Sequence, residues 1–225
     1  MTNQTIKEGL GYYAVQFIKQ NMIVGLGTGS TASCFIQALA AACQKQLDIQ
    51  AVASSEQSFF QGKRLGISML PFDRVDRVDL TVDGADEIDP QHELIKGAGG
   101  AHVREKILAH FSDRLIILAD ETKLVEKLGE KKPLPVEVVS FGASATKTYL
   151  DKLCPGCLLR KTEQGSAWKT DNGGMIFDLP LRGKNVSDLH PSIMAIPGVV
   201  DTGYFSNMAT KVVIGYQNGS ISTLR

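Results

Sequence analysis

Four short apolar runs, MIVGLG (22–27), DIQAVAS (48–54), VDLTVDG (78–84) and RLIILAD (114–120), alternate with stretches of helical periodicity. Runs this apolar read as strands buried on both faces, and strands separated by helices join through right-handed crossovers. The spacing predicts a Rossmann-like α/β fold, a mostly parallel sheet covered by helices on both sides. Helices are expected over 4–20, 28–46, 54–66 and 103–111. The first carries Ile6, Leu10, Tyr13, Ala14, Phe17 and Ile18 on one side.

The rhythm changes after KKPLPVEV (131–138), where Pro133 and Pro135 punctuate the chain. The order beyond reads strand, helix (144–153), strand, a turn at TDNGG, strand, and a helix ending near IPGVV. That pattern suggests a second, smaller α+β domain of ferredoxin-like type. The tail KVVIGYQNGSISTL reads as a hairpin about Asn218-Gly219 that returns to the first sheet. The expected division is a Rossmann-like domain of residues 1–128 plus 205–225 and a smaller domain of 129–204.

Bulk properties narrow the function classes. The 225 residues hold 24 Lys+Arg and 24 Asp+Glu, so the net charge is zero, which removes the electrostatic case for nucleic acid or an acidic membrane as partner. No apolar run reaches bilayer length and the start lacks a charged-then-apolar signal pattern, so a cytoplasmic location is expected. Cys34 and Cys43 sit in an Ala-rich helical stretch and read as small core residues. Cys154 and Cys157 form CPGC; with no second C-x-x-C and no clustered His, a turn is favoured over a zinc or redox role.

Four stretches carry chemistry, each at the C-terminal end of a strand. GLGTGSTA (25–32) opens a helix: its glycines admit a ligand to the backbone, and the helix start offers free N–H groups. It lacks the G-K-[ST] of a Walker loop. Gly27, Gly29 and Ala32 fit a permissive dinucleotide pattern, but Ser54-Ser55-Glu56 falls late for the ribose-binding acid. Ser30 and Thr31 place hydroxyls for a phosphate monoester; a dinucleotide site and a bare turn stay open. LTVDGADEIDP (80–90) crowds Asp83, Asp86, Glu87 and Asp89. Calcium-loop spacing fails, since the third position is Ala85 and the twelfth Leu94; a magnesium site stays open. Glu87 and Asp89 fit a solvated loop, and Asp83 and Asp86 fit that less well. IKGAGGAHVREK (95–106) supplies glycines, Lys96 and Glu105, and LADETKLV places Asp120 and Lys123 after the fourth strand. A phosphate cradle, carboxyls and lysines without a Ser-His or Cys-His pair suit proton transfer beside a carbonyl on a sugar phosphate.

GLGTGSTA, SSEQS, DGADEID, KGAGGAHVREK, ADETK and PLPVEV occur in the order and spacing of the type A ribose-5-phosphate isomerase family, which the chain resembles from Lys7 to the C-terminal hairpin. The resemblance implies interconversion of ribose 5-phosphate and ribulose 5-phosphate in the non-oxidative pentose phosphate pathway, with neither metal nor organic cofactor. It also implies a homodimer or homotetramer. By the same resemblance Thr28, Gly29, Ser30 and Thr31 line the substrate site, with the hydroxyls and Lys7 near the phosphate. Asp83, Gly84, Ala85 and Asp86, and Lys96, Gly97, Ala98 and Gly99, surround the sugar. Glu105 matches the base and Lys123 a substrate-binding lysine. Ala98 stands where many relatives have Gly, and His102 replaces a usually apolar residue, either touching the site or pointing to solvent.

The implied route is an enediolate: Glu105 moves the C2 proton to C1, Lys96 and loop N–H groups stabilise the negative oxygen, and Asp83 or Asp86 moves protons between O1 and O2. Competing readings are a sugar-phosphate sensor domain, a CoA transferase with Glu56 as nucleophile, and a dinucleotide-dependent oxidoreductase.

Overall fold

The computed structural model describes residues 1–224. In chain order the elements are α1 (Asn3–Val15), β1 (Ile23–Leu26), α2 (Ser30–Cys43), β2 (Gln50–Ala53), α3 (Glu56–Arg64), β3 (Ser68–Met69), β4 (Leu80–Gly84), β5 (Glu87–Ile88) and β6 (Leu94–Ile95). They continue with α4 (His102–His110), β7 (Leu115–Asp120), β8 (Leu134–Val138), α5 (Ala143–Leu153), β9 (Leu158–Leu159), β10 (Met175–Leu179), α6 (Val186–Met194), β11 (Val199–Thr202), β12 (Tyr204–Phe205), β13 (Lys211–Gly215) and β14 (Ile221–Thr223). The chain divides into two compact units, one of residues 1–85, 104–123 and 207–225, the other of residues 86–103 and 124–206.

The first unit holds a seven-stranded sheet in the order β14-β13-β7-β4-β1-β2-β3. Every neighbouring pair is parallel except β13 and β14, the predicted hairpin, whose first strand pairs with β7. Successive strand side chains point to opposite faces, so neighbours must find separate cores. Val24 and Ala51 join Leu10, Phe35, Ile36 and Leu39 from α1 and α2 on one face. Ile23 and Val52 join Val75, Val78 and Leu108 of α4 on the other. The chain runs from β1 outward to β2 and β3, then returns to the far side of β1 with β4. Strand order therefore reverses between β1 and β4, and open α/β sheets bind ligands beyond the carboxyl ends of the strands at such a reversal.

In the second unit β8, β9, β10 and β11 form an antiparallel sheet in the order β11-β8-β10-β9, with α5 and α6 as crossovers. This βαββαβ order is the ferredoxin-like pattern. Its core includes Leu134, Val136, Val138, Leu150, Phe177, Leu179 and Ile193, together with both thiols of CPGC. Cys154 and Cys157 are free and buried, in a turn that leaves α5. Three short strands, β12-β6-β5, make a separate antiparallel sheet. Two-residue strands give no periodic signal, which is why β3, β5, β6 and β12 were not expected from the sequence. The first helix ends at Val15, five residues short of its expected end.

Candidate active site

The turn after β1 is held by the strand beside it. Gly27 donates its N–H to Val82 O at 2.9 Å, and a Cβ at Gly27 would lie 2.2 Å from the carboxyl of Asp83. Only a residue without a side chain leaves room there for the carboxylate. Asp83 Oδ1 accepts the backbone N–H of Thr28 at 3.1 Å and that of Gly84 at 2.7 Å. Asp83 is 1% exposed, a buried acid whose bonds from two backbone N–H groups fix the loop.

Hydroxyls from SSEQS support the same loop. Thr28 Oγ1 donates to Ser55 Oγ at 2.8 Å, Ser55 donates to Ser58 Oγ, and Ser58 donates to Gly27 O at 2.6 Å. Ser54 Oγ lies 2.8 Å from Thr28 Oγ1. Ser55 also caps α3 by accepting the Ser58 N–H. These serines drew no notice in the sequence because two of them before a helix and a third in its first turn resemble an ordinary cap. Glu56, the CoA-transferase candidate, lies exposed in the first turn of α3, where an acid complements the helix dipole.

Helix α2 begins at Ser30 with Gly29 at the cap position and no side chain capping it. Its first N–H groups and positive end therefore face outward, as an anion site requires. Ser30 is exposed, and its Oγ accepts from Lys7 Nζ at 2.9 Å. Thr31 lies beside Gly84, since a Cβ there would meet Thr31 at 3.7 Å. The first unit thus gathers Lys7, Thr28, Gly29, Ser30, Thr31, Asp83 and Gly84 around the β1–β4 reversal. Ala85 follows β4. Glu105, 3% exposed, occupies the first turn of α4, and Lys123 ends the helical turn Glu121–Lys123 after β7.

The second unit arranges the other predicted residues about the 96–100 loop. Asp86 Oδ2 accepts the N–H of Ala98 at 2.8 Å, and the backbone N–H of Asp86 bonds Ile95 O. Lys96 is 3% exposed with its ammonium 5.4 Å from the Phe205 ring centre, a cation–π contact. Gly97 takes φ +109°, and its carbonyl accepts from Gly100 N–H at 3.0 Å. Ala98 and Gly99 are exposed. His102 does not point to solvent: it is 0% exposed beneath Gly97, where a Cβ would meet Nδ1 at 2.8 Å, and its Nε2 lies 3.4 Å from Asp201 O.

The remaining acids of DGADEID divide differently from the sequence reading. Glu87 is no solvated loop residue. It is 0% exposed in β5 and accepts the backbone N–H groups of Gly129 at 2.5 Å and of Lys131 and Lys132 at 2.6 Å each. Asp89 accepts from Gln91 and Glu93 N–H in a local turn. Among the described residues no group of three or more His, Cys, Asp or Glu is placed to hold a metal ion, and no helix is long and apolar enough to cross a membrane.

Residues 50–219 match the family model described as ribose 5-phosphate isomerase A (phosphoriboisomerase A). Ribose-5-phosphate isomerase A of Protochlamydia amoebophila is 45% identical over 216 residues, covering 95% of this chain and 92% of that protein. The solved ribose 5-phosphate isomerase A of Methanocaldococcus jannaschii is 34% identical, with a TM-score of 0.92 and full coverage of both chains. A D-ribose-5-phosphate isomerase solved in complex with phospho-erythronic acid is likewise 34% identical, with a TM-score of 0.94 and full coverage of both chains.

Proposed function

The chain belongs to the ribose 5-phosphate isomerase A family and is an isomerase, and on that premise we propose that it interconverts D-ribose 5-phosphate and D-ribulose 5-phosphate through an enediolate. The observation that carries this reading is the tie between Asp83 and Thr28 at the β1–β4 reversal, which puts a buried carboxylate beside an uncapped helix start. A phosphate monoester matches that helix end, with Ser30, Thr31 and Lys7 supplying further donors. The phospho-erythronic acid bound by a relative is a four-carbon sugar acid with a phosphate, the same chemistry at one carbon less.

In the proposed reaction the furanose opens to the aldehyde as Asp83 gives its proton to the ring oxygen and takes up that of the anomeric hydroxyl, so that it is protonated again when the aldehyde has formed. Glu105 removes the proton from C2, the C1=C2 double bond forms and the π pair of C1=O moves onto O1, giving an enediolate with negative charge on that oxygen. Lys96 and the N–H groups of its loop stabilise that oxygen. Asp83 or Asp86 delivers a proton to O1 and takes the one on O2. As the C2=O bond forms, C1 recovers the proton from Glu105, giving the ketose. No step needs an oxidant or an external group. The substrate and product place the reaction in the non-oxidative pentose phosphate pathway.

Phe141, Leu158 and Tyr149 are exposed large apolar residues of the second unit, at 92%, 69% and 55%. Association as a homodimer or homotetramer, which the family resemblance implies, gives these side chains a place to bury, and light scattering on the purified protein reads it directly. The test of function is an isomerase assay with ribose 5-phosphate and with ribose. Phosphate-dependent ketose formation is expected. No ketose from ribose 5-phosphate, or equal rates for the two sugars, overturns the reading.

A further inference from the structure

We propose that Arg160 is a positioning residue for the isomerase reaction, holding the 96–100 loop so that the Gly99 N–H is presented as a donor to the developing oxyanion. This rests on the function proposed above and adds a residue outside the predicted site. Arg160 follows β9. Its Nε donates to Asp178 Oδ2 at 3.0 Å and its Nη2 to Asp178 Oδ1 at 2.5 Å, a bidentate pair with side chains 15% and 21% exposed. Its Nη1 reaches back to Gly97 O at 2.6 Å and Ala98 O at 3.1 Å. One planar fork satisfies a carboxylate on one edge and two carbonyls with the remaining nitrogen; an ammonium has no such geometry.

The consequence follows from peptide planarity. In a trans peptide the C=O and N–H point in opposite directions. The Gly97–Ala98 peptide is held at both ends, its oxygen by Arg160 and its N–H by Asp86 Oδ2 at 2.8 Å. The Ala98–Gly99 peptide is held by its oxygen alone, so the Gly99 N–H is aimed away from the guanidinium. Among the described residues it has no acceptor, and Gly99 is exposed. A fixed, unoccupied N–H three residues along the loop from Lys96 is what oxyanion stabilisation requires. The hairpin carrying Arg160 braces the loop a second time. Trp168 donates its backbone N–H to Arg160 O at 2.9 Å, and its indole packs so near Gly100 that a Cβ there would lie 2.6 Å from Nε1.

The test compares wild type with Arg160→Met, Arg160→Lys and Arg160→Ala, and with the double variant Arg160→Met/Asp178→Asn, which leaves no unpaired carboxylate if the single change fails to fold. The kcat of Arg160→Met should fall about 10²-fold, the scale of a misplaced catalytic group. KM and inhibition by inorganic phosphate should stay within about threefold of wild type, because ground-state phosphate binding is left in place. Arg160→Lys should not recover the loss, whereas added guanidinium chloride should partly restore the kcat of Arg160→Ala. Amide hydrogen exchange over 97–100 should quicken in the folded variant. A folded variant with wild-type kcat and unchanged exchange overturns the clamp, as does a loss that tracks thermal unfolding and weakens phosphate inhibition equally. A wild type inactive on ribose 5-phosphate overturns the function reading itself, while the exchange measurement still reads the clamp.

Discussion

The Oδ1 of Asp83 accepts the backbone N–H of Thr28 at 3.1 Å, so the end of one strand holds the glycine-rich turn of its neighbour. The same oxygen takes the Gly84 N–H at 2.7 Å. An asparagine at 83 keeps an oxygen able to accept both bonds but has no carboxyl proton to exchange. Asp83→Asn should therefore fold as the wild type does and lose about 10²-fold or more in turnover, within the range for acid–base groups. Asp89→Asn retains its local turn and should be mild. Melting temperature and steady-state rates of both variants check the contrast; equal, small effects would remove Asp83 from proton handling.

Glu105 sits in the first turn of α4 at 3% exposure. Glu105→Gln preserves volume and removes the base. Turnover should drop by about 10²–10⁴-fold while phosphate still inhibits and the far-UV circular dichroism is unchanged. Near wild-type turnover would exclude Glu105 as the base.

Glu87 makes a stability prediction in place of a catalytic one. Its carboxylate accepts three backbone N–H groups, those of Gly129, Lys131 and Lys132. Glu87→Ala strands these donors, each worth about 1–3 kcal/mol when buried and unsatisfied. Because the three share one carboxylate, Gly129 on Oε2 and Lys131 and Lys132 on Oε1, their costs do not simply add, and a total loss of about 3 kcal/mol or more is expected. Urea unfolding should show the midpoint falling with the slope preserved.

The CPGC turn makes a pH prediction. Burial, reinforced by the Asp151 charge, pushes the Cys157 thiol from 9.0 up to about 12. Only the thiolate reacts with disulfide reagents. At pH 8 the native protein should leave Cys157 unmodified, and the urea-unfolded protein should react quickly. The folded pKa is raised, so this thiol's contribution to stability is complete below the unfolded pKa near 9 and is lost as pH rises from there toward 12. Cys157→Ala should flatten that alkaline decline and leave turnover unchanged. Rapid labelling of the native protein at pH 8 would contradict the burial.

What was legible in the sequence was whatever repeats with a period. The runs ending at Gly27, Ser54, Gly84 and Asp120 read as strands because apolar side chains fill both faces, and Asn218-Gly219 read as a hairpin because that pair suits the turn. What stayed hidden lies in contacts between distant segments. Nothing near Glu87 announces the N–H groups more than forty residues away that bury it. Nothing in SSEQS shows that three serine hydroxyls brace Thr28 and Gly27. Nothing in the sequence singles out Arg160, because its two partners, Asp178 and the 97–98 carbonyls, come from opposite directions along the chain. The strand ends that carry the candidate site residues were readable from the alternation of strands and helices; the contacts that support them were not.

The acids of DGADEID also decide between two ways of moving hydrogen. In proton transfer Glu105 holds the C2 proton while the enediolate persists, and a carboxylic acid exchanges with water faster than most enzymes turn over. Reaction in deuterated water should therefore place deuterium at C1 of the ketose and, in the reverse direction, at C2 of the aldose. A metal-assisted hydride shift carries hydrogen between the carbons directly and leaves both unlabelled. It also needs an ion polarising O1 and O2, with Asp83, Asp86 or their neighbours as ligands. One oxygen of Asp83 is held by the N–H groups of Thr28 and Gly84 and one of Asp86 by that of Ala98, while both oxygens of Glu87 are taken by the 129–132 segment, which removes Glu87 as a ligand and assigns proton transfer to the second oxygen of Asp83 or of Asp86. Turnover should survive dialysis against EDTA unchanged, added magnesium or manganese should not raise it, and deuterium should appear by mass spectrometry after partial conversion. Activity that EDTA removes and magnesium restores, with no label in the product, would make the acid cluster a metal site and end the enediolate account.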